Sequence, residues 1–77
     1  MFDYDKLRGR IKEILGSEKE YANKMGMSQQ TTSSKLNGET SFTDKQIYQT
    51  CEILKINLDY IPLYFFKVKT ELNSVKK

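Results

Sequence analysis

The run Gln29-Gln30-Thr31-Thr32-Ser33-Ser34 places six uncharged hydrogen-bonding side chains in succession. Amides and hydroxyls in this pattern suit recognition better than catalysis. A Gln amide can bond adenine at two atoms at once, and Ser or Thr can meet several base edges or a thymine methyl. On a helical wheel, Gln30, Ser33, Ser34 and Asn37 share one face, and Thr32 and Leu36 lie on the opposite one. Gln29 stands at the exposed N-terminal end. The run has poor helix propensity and adds little to a core. Its amides and hydroxyls are donors and acceptors suited to base edges.

The parts for other chemistry are missing. The chain has no His and one Cys, so it can build neither a Cys/His nucleophile pair nor a zinc cluster. Acid pairs such as Glu18 and Glu20 fall at helix caps and polar faces. The expectation is a protein that is not an enzyme and uses no cofactor or metal. A single Cys allows no internal disulfide and suits a reducing compartment. No apolar run approaches the ~20 residues of a membrane span, and the start MFDYDK does not read as a signal peptide. A cytoplasmic location without membrane contact is therefore expected. Thirteen Lys and Arg against ten Asp and Glu give +3, which permits nucleic-acid binding without requiring it.

Caps and glycines mark the elements that would position these side chains. Asp3 reads as an N-cap, with Phe2 and Leu7 as a hydrophobic staple and Leu7, Ile11, Ile14 and Leu15 as a buried stripe. Gly16 closes that helix. Ser17 opens a second, with Glu20 as capping-box partner and Tyr21, Ala22 and Met25 facing inward. Gly26 ends it, and Ser28 caps a third helix over about Gln29 to Leu36. Thr43 and Gln46 form a box at a fourth, with Phe42 and Ile47 as its staple. Ile47, Cys51 and Leu54, with Tyr48 and Ile53 beside them, carry it into the core.

Leu58 to Ile61 fits one short helical turn, and Pro62 suits a longer helix interior badly. From Phe66 to Leu72 the pattern alternates with period two, favouring a short strand. The expected fold is all-α, four to five helices around a helix-turn-helix, with room for that strand. Its domain covers residues 1–66, with 67–77 as a strand or tail serving dimerisation.

Two short helices joined by a glycine turn describe a helix-turn-helix, whose second helix can enter a major groove. The run SEKEYANKMGMSQQTTSSKLNGE resembles the helix-turn-helix of the lambdoid repressor and Cro family, the XRE type, without gaps. The matches are Ala22, Gly26, Ser28-Gln29-Gln30 and Asn37-Gly38. The frame FDYDKLRGRI, KLNGETSF and IPLYFF resembles a group of small phage proteins of this class.

The resemblance implies base reading by Gln29, Gln30, Ser33 and Ser34, and phosphate contacts near Lys19 and Asn37. Lys35 and Lys45 join that set by charge and location. The chain departs from the family at three places. Glu18 stands where an uncharged donor commonly meets a phosphate, Glu39 where a basic residue is common, and Thr32 where a branched aliphatic is usual.

The aromatic cluster around Tyr64, Phe65 and Phe66 exceeds what a small core needs, so with Val68 it is the expected dimer interface. Family members read two half-sites ~34 Å apart as dimers. The leading expectation is thus a homodimeric transcription regulator on double-stranded operator DNA. The alternative is an antirepressor or modulator that binds a cognate phage repressor, which Glu18, Glu39 and the modest net charge would suit. The Lys and Arg of the first helix read as a solvated face, and Cys51 as core filling.

Overall fold

A computed structural model describes residues 2–68. Five α-helices follow one another: α1 (Asp5–Leu15), α2 (Glu18–Met25), α3 (Gln29–Leu36), α4 (Asp44–Leu54) and α5 (Ile61–Phe65). A 3-10 turn, Leu58–Tyr60, precedes the last. The fold is all-α. Helix α1 packs on α2, α4 and α5, while α2 packs on both α3 and α4. The core gathers Tyr4, Leu7, Ile11, Tyr21, Met25, Leu36, Ile47, Leu54 and Phe65 from these helices and the N-terminal segment.

Local chemistry sets the boundaries. Ser17 Oγ accepts from the Glu20 N–H and Ser28 Oγ from the Thr31 N–H. Thr43 and Gln46 close a full capping box, so both orphan donors of that helix start are met reciprocally. At α1 the chain differs from expectation. Asp3 Oδ1 accepts from the Asp5 N–H at 2.8 Å, and Tyr4 becomes the N-cap. Phe2 stays partly exposed and packs edge-on against Tyr4 and Phe66. Tyr4, not Phe2, is the ring that enters the core.

The C-terminal half fits one expectation and corrects another. Pro62 lies in the first turn of α5, where its missing N–H has no helical partner to lose. The 3-10 turn feeds into that short helix, so both fit. The strand expected over 66–72 is, within the described residues, one antiparallel bridge between Phe2 and Val68. The Asp3 N–H donates to the Lys67 carbonyl at 2.7 Å. This edge is met by the chain's own N-terminus, and residues 69–72 lie outside the described residues.

The polar interior is satisfied. The Tyr21 and Thr50 hydroxyls lie 2.6 Å apart in the core, and Thr50 also donates to Met25 Sδ. Among the described residues, no buried side-chain nitrogen or oxygen lacks a partner. Burial pushes the Tyr21 phenol up to about 12 despite its hydroxyl bond with Thr50. Burial also raises the Cys51 thiol, which suits core filling over reactivity. No helix among the described residues is long and apolar enough to cross a membrane.

Candidate functional site

Helices α2 and α3 and the three residues between them form the helix-turn-helix arrangement. Its turn is a Schellman motif: the Met27 N–H donates to the Ala22 carbonyl at 2.9 Å and the Gly26 N–H to the Asn23 carbonyl at 3.2 Å. Gly26 holds φ +73°, a left-handed conformation that a Cβ disfavours. Ala22, on α2, is buried.

Helix α3 is then anchored by Thr32 and Leu36, both buried. Thr32 Oγ1 donates to the Ser28 carbonyl at 2.9 Å, so the hydroxyl that replaces an aliphatic finds its partner inside its own helix. Gln29, Gln30 and Ser33 are exposed, and Ser34 is half-buried. The base-reading candidates therefore occupy the outer side of α3, although Ser34 is the least accessible.

The phosphate-contact candidates divide. Lys45 stands exposed on the first turn of α4. Lys19 is exposed, but it lines a cleft with Glu18, Gln29, Thr32 and Ser33, so an acid shares its site. Asn37 is engaged: its Oδ1 accepts from Arg8 Nη2 at 2.6 Å and its Nδ2 donates to Ser33 Oγ at 3.5 Å. Lys35 is a correction. Its residue is 8% exposed, its Nζ donates to the Ser41 carbonyl at 2.7 Å, and it lies 5.8 Å from the Phe42 ring centroid. The ammonium thus fastens α3 to the loop before α4 and is not available to a phosphate.

Arg8 is the residue that sequence reasoning missed. Besides Asn37, its guanidinium reaches Glu18 Oε2 at 3.7 Å, linking α1 to the start of α2 and the end of α3. Arg10 has a comparable part, donating to the Leu54 and Lys55 carbonyls at the end of α4. Both belong to the face of α1 that the sequence reads as solvated. Arg10 also meets Glu13 at 3.4 Å, three residues on, but the other partners lie 10 to 45 residues away along the chain, and no local spacing announces those pairs.

The charges left on the two helices nearly cancel. Helix α2 carries Glu18 and Glu20 against Lys19 and Lys24, and the one cation of α3 is Lys35. No group of three His, Cys, Asp or Glu side chains that could hold a metal forms among the described residues.

The dimer candidates also divide. Phe65 is 1% exposed and meets the Phe42 ring edge-on at 5.2 Å. It is a core residue, which corrects its assignment to an interface. Tyr64 is half-buried with Lys6 Nζ 5.3 Å from its ring. Phe66 and Val68 are exposed, yet both already touch Phe2 through ring packing and the backbone bridge.

The chain is similar to the solution structure of the modulator of repression (MOR) of the temperate bacteriophage TP901-1 from Lactococcus lactis. The two share 37% sequence identity and a TM-score of 0.77, over 91% of this chain and 95% of that one. No curated protein matches the chain. Residues 1–68 match the family described as "Protein of unknown function (DUF739)". With nearly its whole length inside that match, the chain belongs to the DUF739 family.

Proposed function

We propose that this chain is a modulator of repression, which acts by protein–protein contact with the repressor of its own phage in the host cytoplasm. It has no catalytic role and needs no cofactor. The observation that carries the reading is the fate of the cations around α3. Lys35 is turned inward, Arg8 is bound to Glu18 and Asn37, and Lys19 shares its cleft with Glu18. DNA affinity depends on Lys and Arg that neutralise phosphates, and this surface offers few that are unopposed. Its exposed amides, hydroxyls and acids can instead bond a protein. The likeness to a phage modulator of repression supports the same reading.

The test is to mix the purified chain with that repressor and follow both by sedimentation velocity. A boundary containing both proteins is expected, and separate boundaries at tens of micromolar would oppose the reading.

A second reading is favoured by the exposure of Gln29, Gln30 and Ser33 on a helix that follows a glycine turn. In it, α3 reads operator bases directly, Lys19 and Lys45 supply phosphate contacts, and two copies bind as a dimer. Gln30→Ala would then relax operator preference instead of weakening all sequences equally.

A further inference from the structure

A groove of about 750 Å³ opens between the second half of α4 and the 3-10 turn, outside the α2–α3 pair. Its floor is apolar and buried, from Cys51 and Ile56, while Tyr48 and Leu58 stand as walls at 56% and 55% exposure. Tyr48 was expected to help carry α4 into the core, and its exposure is a correction. Tyr60, equally exposed, follows at the end of the turn.

The groove's shape is held by local bonds, not by a partner. Asn57 Oδ1 accepts from the Asp59 N–H at 2.9 Å, and the Ile56 N–H donates to the Cys51 carbonyl at 2.9 Å. Arg10 clasps the Leu54 and Lys55 carbonyls from behind. The loop that forms one wall is therefore set before anything binds, which lowers the ordering cost of association.

The charge pattern identifies the occupant. Two ionisable carboxylates, Glu52 and Asp59, line the groove and no Lys or Arg does, although the whole chain carries +3. Both acids are exposed and neither makes an ion pair among the described residues. Lys55, the nearest cation in sequence, is not among the lining residues. An apolar floor bordered by tyrosine and unpaired acids is complementary to an apolar side chain flanked by Lys or Arg. Opposed potentials of this kind steer encounter and set register, and buried aromatic anchors supply most of an interface's energy.

We infer that the groove bounded by Tyr48, Glu52, Leu58 and Asp59 is a docking surface for a cationic segment of another protein, anchored by an apolar side chain against Cys51 and Ile56. This surface lies apart from the α2–α3 pair and does not depend on the modulator reading.

The test uses the full chain, labelled with ¹⁵N, and two synthetic peptides of equal length, one of Leu and Lys and one of Leu and Glu. The Leu/Lys peptide should shift the amide signals of Tyr48, Glu52, Leu58 and Asp59, with affinity falling as salt rises. The Leu/Glu peptide should leave them in place. The double variant Glu52→Lys, Asp59→Lys changes two exposed side chains and should keep the wild-type spectrum elsewhere. It should weaken Leu/Lys binding by about tenfold or more. Tyr48→Ala should weaken it as well, through loss of the apolar wall.

Equal shifts with both peptides, or shifts centred on α2 and α3, would overturn the inference. So would undiminished binding by the double variant. Signals at the groove that move with protein concentration alone would assign it to a second copy of the chain, and would equally overturn it.

Discussion

Arg8 Nη2 donates to Asn37 Oδ1 across 2.6 Å, joining α1 to the residue that ends α3. The same guanidinium lies 3.7 Å from Glu18. One arginine thereby engages two side chains that sequence resemblance places beside phosphates, one acidic and one polar. An exposed pair of this kind contributes only about 0–1 kcal/mol to stability. Its consequence is chiefly electrostatic, since the arginine that could have attracted a phosphate instead faces an acid.

Glu18→Lys separates the two functional readings. In the modulator reading it weakens repressor binding by about tenfold, because a charge at the contact reverses sign. Isothermal titration with the repressor measures this. Unchanged repressor binding together with tighter operator binding would favour the operator reading instead.

Lys35→Ala should lower stability by about 1–3 kcal/mol, because it removes a charged donor from the Ser41 carbonyl and an ammonium from the face of the Phe42 ring. The urea midpoint reads the change. A lysine reserved for phosphate would leave the midpoint in place when truncated.

Lys55→Gly should raise stability by up to about 1 kcal/mol. Lys55 ends α4 at φ +57°, the one positive-φ residue other than glycine among those described, and its N–H still donates to the Cys51 carbonyl. Glycine keeps that bond and removes the left-handed strain. Thermal melting of both proteins decides it.

Stability should fall in alkali through Tyr21. The folded phenol holds its proton to about 12 because it is buried, whereas an unfolded tyrosine loses it near 10. This contribution is complete below pH ~10 and disappears as pH rises through ~12, on the order of 2 kcal/mol in all. Burial raises Tyr4 and Cys51 in the same direction, so those losses are shared by any Tyr21 variant. Tyr21→Phe should therefore show a shallower alkaline decline than wild type in denaturant titrations from pH 9 upward. Parallel declines would contradict it.

The helical framework was legible because its signals are local. Ser17, Ser28 and Thr43 cap the helices they announce, and Gly26 takes the backbone conformation its place between two helices requires. The inward side of α3 followed from the spacing of Thr32 and Leu36. What stayed hidden depends on tertiary contact. Lys35 looks like any surface lysine until the loop to Ser41 folds over it. Phe65 and Phe66 are adjacent and alike, yet one fills the core and the other stands half in solvent. The period-two pattern after Phe66 gave one bridge within the described residues, because Phe2 and Asp3 meet the chain at Lys67 and Val68. The tertiary roles of Arg8 and Arg10 were invisible for the same reason, since Glu18, Asn37 and the Leu54 and Lys55 carbonyls are distant in sequence.

In the proposed modulator reading the chain acts on a repressor and does not read the operator itself. The most direct measurement is fluorescence anisotropy of labelled DNA from the region beside its own gene, at several salt concentrations. It would be recorded with the chain alone, with the repressor alone, and with both. The chain alone should bind weakly and alike on all sequences, while its addition should shift the repressor's binding curve in proportion to the complex formed. Saturable nanomolar binding by the chain alone, surviving excess non-specific DNA and leaving the repressor's curve unmoved, would contradict it.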